Sequence, residues 1–196
     1  MKNITLITLF VGASAFITSA YAEISGNLGV TSNYLWRGLS QNGTEASVSG
    51  GLDYSGDGFY AGFWTANLSA DQEVDLYVGT ELNGFDVGLI KYCFDASEAT
   101  EYYVGYSIGG FDLSYAADVD DSDLSYTAVS YGFTITEGLD ATLTYGDYDA
   151  GLTDTGAIAY GEYIQLDVAY GDLTITIADR DADTEVDYAV SYGWGF

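Results

Sequence analysis

From about residue 23 onward, apolar and polar side chains alternate with a period of two, and no stretch carries the spacing of an amphipathic helix. The clearest example comes last: Val186, Tyr188, Val190, Tyr192, Trp194 and Phe196 alternate with Glu185, Asp187, Ala189, Ser191, Gly193 and Gly195. Val74, Leu76, Val78 and Leu82 likewise oppose Glu73, Asp75, Tyr77, Gly79 and Glu81, and Leu173, Ile175 and Ile177 oppose Thr174, Thr176 and Ala178. Followed along the chain, this rhythm predicts twelve strands centred near residues 31, 49, 63, 77, 89, 104, 114, 128, 143, 165, 176 and 190. The segments around 63 and 128 are apolar on both faces. The one around 89 changes phase near Ile90, which reads as a bulge.

Two kinds of connection alternate between these strands. Short, glycine-centred turns are expected at Ser55-Gly56-Asp57-Gly58, Asn83-Gly84, Gly109-Gly110, Glu137-Gly138 and Gly171-Asp172, where glycine can supply the positive φ of a tight hairpin. Several are followed by a similar restart, Phe85-Asp86-Val87, Phe111-Asp112-Leu113 and Leu139-Asp140-Ala141. Longer acidic connections run from Gly38 to Glu45, Ser69 to Glu73, Asp95 to Glu101, Asp118 to Asp123, Asp147 to Glu162 and Asp179 to Glu185. An even strand number with short turns at one end and long loops at the other predicts an all-β fold, an antiparallel transmembrane β-barrel of the bacterial outer membrane. Its turns and both termini would be periplasmic and its acidic loops extracellular.

A soluble secreted sandwich also alternates, so further features must decide. The polar face is rich in Gly, Ser, Ala and Thr, as the concave inside of a small barrel requires. Aromatic residues cluster at segment ends: Phe59, Phe85, Phe111, Phe133, Tyr170 and Trp194 near the turns, and Tyr34, Trp36, Tyr102, Tyr126 and Tyr188 near the loops. Two such bands are the interfacial girdles of a membrane barrel. Tyr192, Trp194 and Phe196 share one face, and a terminal aromatic on an alternating strand resembles the signal read by the outer-membrane assembly machinery. A closed barrel satisfies every backbone polar group within lipid. The 12 strands lie between eight, which fill solid, and sixteen, which leave an open channel.

The first residues do not follow the alternation. Lys2, the apolar run Ile4 to Ile17 and the small-x-small triplet Ala20-Tyr21-Ala22 predict a signal peptide over residues 1–22, cleaved before Glu23. The remaining residues, 23–196, form one barrel domain.

Composition then narrows the chemistry. The 196 residues include 30 acidic and 4 basic ones, a formal charge of −26, with no histidine, no proline and one cysteine. Without histidine there is no Ser-His or Cys-His catalytic pair and no imidazole-bound metal. A single cysteine, Cys93, excludes an intrachain disulfide. The charge argues against nucleic acid as partner. No enzyme, cofactor or dedicated metal site is expected. The aromatic content of 16% separates the chain from acidic disordered sequences.

The candidate pore lining is the set of acids predicted to face inward: Asp53, Glu73, Asp75, Glu81, Asp112, Asp140, Asp167, Glu185 and Asp187. Rings of carboxylates favour cations; the competing reading places these acids at solvated rims or in pairs with Arg37, Lys91 or Arg180. Arg37, conspicuous among so few cations, is either a constriction or loop-anchoring residue or a local partner of Asp53 or Glu45, or a cation stacked on an aromatic ring. The acidic loops Asp118–Asp123 and Asp179–Glu185 lack EF-hand spacing but could recruit divalent cations weakly and bridge to lipopolysaccharide.

Residues 31–68 carry a more specific pattern: Ser32, Asn33, Tyr34, Trp36, Arg37, Gly38, Ser40 and Gln41, then Gly58-Phe59-Tyr60-Ala61-Gly62-Phe63-Trp64. This resembles the first hairpin of the TorF-type porins, S-x-N-Y-x-[WF]-R-G-x-S-Q followed by G-x-Y-x-G-x-W, although the proline often found after that glutamine is missing here. The resemblance implies an outer-membrane barrel and brings no substrate or catalytic residue. Together these features predict a channel for passive diffusion of small neutral or cationic hydrophilic solutes. The rival is a non-conducting barrel whose acidic loops meet ions, lipopolysaccharide or partners. A lumen filled by Tyr60, Tyr77, Tyr103 and Tyr163 would favour the rival.

Overall fold

The structure, a computed structural model, describes residues 22–150, 161–181 and 185–196. The predicted signal peptide, up to residue 21, and the centres of the loops 147–162 and 179–185 lie outside the described residues.

The described residues form fourteen strands in chain order: β1 (Glu23–Thr31), β2 (Leu35–Trp36), β3 (Leu39–Ser40), β4 (Ser47–Gly56), β5 (Phe59–Asn67), β6 (Gln72–Leu82), β7 (Phe85–Cys93), β8 (Glu98–Ile108), β9 (Phe111–Asp118), β10 (Leu124–Thr136), β11 (Leu139–Ala150), β12 (Glu162–Tyr170), β13 (Leu173–Arg180) and β14 (Asp187–Gly195). Twelve of them close into one antiparallel barrel, each pairing with its neighbour in sequence and β14 returning to β1. The short strands β2 and β3 stand apart as a separate two-stranded hairpin that the alternation did not reveal.

The turns follow from local chemistry. Five two-residue connections fall where glycine predicted them, and Asp57-Gly58, Asn83-Gly84 and Gly109-Gly110 have positive φ at both positions. That pairing matches the right-handed twist of the flanking strands. The seam between β1 and β14 runs from Asn27↔Gly195 to Thr31↔Ser191 and is extended by reciprocal backbone bonds of 2.8 and 2.9 Å between Gly26 and Phe196. The ring of Phe196 covers the space above Gly26, where a Cβ would approach it to 2.7 Å.

Val190, Tyr192 and Trp194 are 49%, 47% and 40% exposed, so the apolar face of β14 looks outward. The same holds for Leu76 and Val78, Leu113, Leu143 and Ile175 around the circumference. An apolar outer face around a small-residue and polar inner face is the arrangement of a transmembrane barrel. Phe59, Phe85, Phe111, Phe133, Tyr170 and Trp194 form an exposed aromatic ring on the outside near the short turns. At the loop end Tyr102 and Tyr188 are also outside, but Tyr34, Trp36 and Tyr126 are not girdle residues: Tyr34 and Tyr126 are buried and all three point inward. Their sequence position matches a girdle, but the parity of β10 and the path of the 32–46 segment turn them into the lumen.

The expected change of phase at Ile90 does not occur. β7 keeps continuous register with both neighbours, Ile90 is buried inside, and the outward position falls to Lys91, which pairs with Glu98 at 2.7 Å. A lysine stem can lie along apolar surface while its ammonium reaches the loop end. The irregularity sits instead between Thr134 and Thr136 of β10.

Candidate functional site

The chain between β1 and β4 does not leave the barrel as an extracellular loop. It folds into the lumen as the β2–β3 hairpin, with Leu35↔Ser40 and Trp36↔Leu39 paired across a turn at Arg37-Gly38. Both turn residues have positive φ, 49° and 72°. The Tyr34 carbonyl accepts from the Gln41 amide at 2.8 Å, and the Asn42 side-chain oxygen accepts from the Tyr34 amide at 3.3 Å. Ser40 donates to the Asn33 side chain at 2.7 Å, and the Ser32 hydroxyl accepts from the Val190 amide of β14 at 2.9 Å. These bonds make the segment a braced plug anchored to the wall.

Arg37 at the hairpin tip crosses to the far wall. It grips Glu101 on β8 through two bonds of 2.9 and 2.6 Å, and its guanidinium lies 4.2 Å from the Trp36 ring, 4.1 Å from Tyr126 and 4.9 Å from Tyr148. The pair is bidentate and buried. Guanidinium stacking on three rings replaces water that a lysine ammonium would keep. Arg37 thus ties the hairpin to the far wall and also stacks on aromatic rings, so parts of both readings above meet in one side chain, and its ion-pair partner is neither Asp53 nor Glu45. Gly38 lies so close to Tyr163 that a Cβ would fall 2.6 Å from the ring.

Wall tyrosines continue the filling beside the plug and below it, toward the short turns. Tyr126 and Tyr163, at the level of the hairpin tip, share a hydroxyl bond of 2.7 Å. Tyr77 donates to Asp53, Tyr60 to Asp86, and Tyr103 to Tyr60. Each ring rests in a hollow left by a wall glycine: Tyr77 on Gly62, Tyr60 and Tyr103 on Gly79, Tyr103 also on Gly88, and Tyr163 on Gly146. Added Cβ atoms would meet these rings at 2.7 Å or less, so glycine is required here for space and not for turning. Trp64 packs on Tyr34 with ring centroids 5.6 Å apart.

Eight of the acids predicted to line the lumen do face it: Asp53, Glu73, Asp75, Glu81, Asp112, Asp140, Asp167 and Asp187. They fall into levels. Glu73, Asp75 and Asp167 are buried, the last held by Thr176 at 2.6 Å and Gln165 at 2.8 Å. Asp112 and Asp140 sit near the short turns, bonded to Ser107 at 2.5 Å and Thr134 at 2.6 Å, and Glu81 is exposed at the same end. Glu185 is not a wall residue: it precedes β14, lies outside any strand and is exposed. Its alternation with Val186 continues in sequence after the sheet has ended. Tyr192, Trp194 and Phe196 sit on the outside at the seam. Glu101 and Asp86 are inward acids with side-chain partners in the lumen that sequence reasoning missed although their parity marks them. Asp86 occupies the same restart position as Asp112 and Asp140.

The sequence matches the profile of a family described as a bacterial protein of unknown function, Gcw_chp, over residues 15–193. The chain belongs to the Gcw_chp family. No curated protein matches this Gcw_chp sequence. Among solved structures, one from work on the in-meso crystallization of membrane proteins is 11% identical, with a TM-score of 0.55 over 88% of this chain and 83% of that one. A mutant porin of Rh. blastica is 10% identical over 89% of this chain and all of that one, with a TM-score of 0.33. The first likeness supports the barrel fold of this Gcw_chp chain and nothing finer.

Proposed function

We propose that the protein is a porin-type barrel of the bacterial outer membrane whose lumen is shut in this conformation, and that small neutral or cationic hydrophilic solutes cross only when the β2–β3 hairpin withdraws. One observation carries this reading. Six side chains that a water-filled channel would wet, Tyr34, Tyr60, Glu73, Tyr92, Glu101 and Tyr163, are buried. The hairpin contributes the part of that filling that can be removed without opening the sheet. The inward carboxylates at the short-turn end, Asp53, Glu81, Asp86, Asp112 and Asp140, support cation preference, since such rings repel anions. The residues of the TorF-type resemblance support the same placement, because they are the ones that build the plug: Ser32, Asn33, Tyr34, Trp36, Arg37, Gly38, Ser40 and Gln41 each make one of the contacts described.

Planar-bilayer recording tests this directly. The parent should be silent or nearly so. A variant with Leu35–Ser40 replaced by a two-glycine turn should show steps of conductance, with a reversal potential in a salt gradient favouring cations. A folded variant that stays silent overturns the channel reading.

A second reading then applies, a non-conducting surface barrel. The tyrosines seated in glycine hollows favour it, because they belong to the wall and remain when the hairpin leaves. Its acidic loops would engage divalent cations and lipopolysaccharide, and Tyr192, Trp194 and Phe196 would present the chain to the assembly machinery. Neither reading invokes catalysis.

A further inference from the structure

Asp75 is the most enclosed charged group of the lumen. None of its surface is exposed, and neither carboxylate oxygen has a hydrogen-bond partner. Other inward acids differ: Asp53, Asp86, Glu101 and Asp167 each accept a bond from a side-chain donor. By register Asp75 stands between Trp64 of β5 and Tyr92 of β7, and the charges that face it are Glu73 and Glu101, both acidic. Glu101 is already matched by Arg37. Glu73, two residues along the same face of β6, is buried too and has the Tyr34 hydroxyl of the plug segment beside it. A buried carboxylate without a donor or a cation is among the costliest arrangements in a protein, and a like charge beside it raises the cost.

We propose that Asp75 and Glu73 bind one hard divalent cation of the calcium type, enclosed beneath the hairpin. The two unmatched carboxylates carry the two negative charges such an ion neutralises. Among the described residues no three acidic, histidine or cysteine side chains form a cage, so hydroxyl oxygens and water would complete the shell. Calcium accepts such mixed and irregular oxygen sets, whereas magnesium demands strict octahedral geometry and sheds water reluctantly. Because Tyr34 belongs to the plug segment and Glu73 to the wall, the ion would tie one to the other. The site depends on the filled lumen alone and stands whether or not the barrel ever conducts.

Terbium luminescence tests the site, since Trp64, Tyr34 and Tyr92 lie where they can sensitise a bound ion. The folded full barrel in zwitterionic micelles is titrated with Tb³⁺, then with Ca²⁺ as competitor. A single saturable, Ca²⁺-displaceable emission is expected. It should persist when the loop acids Asp120, Asp121 and Asp123 are changed together to Asn, and weaken about tenfold or more in Asp75→Asn. Glu73→Gln should weaken it as well, and serves if Asp75→Asn does not fold. Emission unchanged in the folded Asp75 or Glu73 variant, or abolished by the loop variant, overturns the proposal. So does a parent barrel that gives no displaceable emission, which would mark Asp75 as a neutral acid.

Discussion

Arg37 holds a backbone conformation that costs an L-residue about 1–2 kcal/mol and that glycine or asparagine would occupy more cheaply. Its retention at the hairpin tip is explained by what the side chain reaches: a carboxylate on the opposite wall and three aromatic rings. Both charges are buried, so removing one strands the other. Glu101→Ala should therefore destabilise the barrel by about 3–5 kcal/mol, whereas the double change Arg37→Met with Glu101→Met should recover most of that loss. Urea unfolding followed by tryptophan fluorescence measures both; equal losses in the single and double variants would show that the pair does not act as a unit.

At the scale of elements, the inner wall is a set of fitted pairs in which a glycine on one strand receives a tyrosine from another. Gly88→Ala would bring a Cβ to 2.5 Å from both the Tyr103 ring and the Val78 carbonyl, while Gly193→Ala, also inward, meets nothing closer than 3.6 Å. Overpacking of this kind costs about 1–3 kcal/mol, so thermal melts should drop for Gly88→Ala and scarcely move for Gly193→Ala. Much of this level was legible in the sequence. The twelve strands follow from alternation and the five tight turns from glycine position, because both are local signals. The inserted hairpin was not legible: two-residue strands are too short to show a period, and an inward-folded loop has the polar composition of an outward one. Ile90 and Lys91 misled for a related reason, since a lumen filled by aromatic rings accepts an apolar side chain where a wet lumen would not. The central contact, Arg37 with Glu101, joins residues 64 apart in sequence, and no spacing rule connects them.

For the whole molecule, closure rests on the meeting of β1 with β14. Phe196 contributes two backbone bonds to Gly26 and a ring that covers it. Phe196→Ala keeps the backbone bonds and removes the ring, so it should lower the yield of the compact, heat-modifiable form on gels of unheated samples without altering the melting of barrels already closed. An unchanged yield would assign the ring to surface packing alone. The same meeting of remote ends has a temporal consequence. Until β14 is delivered, the sheet is an open ribbon with two raw borders, each able to recruit a strand from a stranger. Only the arrival of the last strand at the first removes both borders at once, so the cylinder has no half-closed stage in which one border alone is safe.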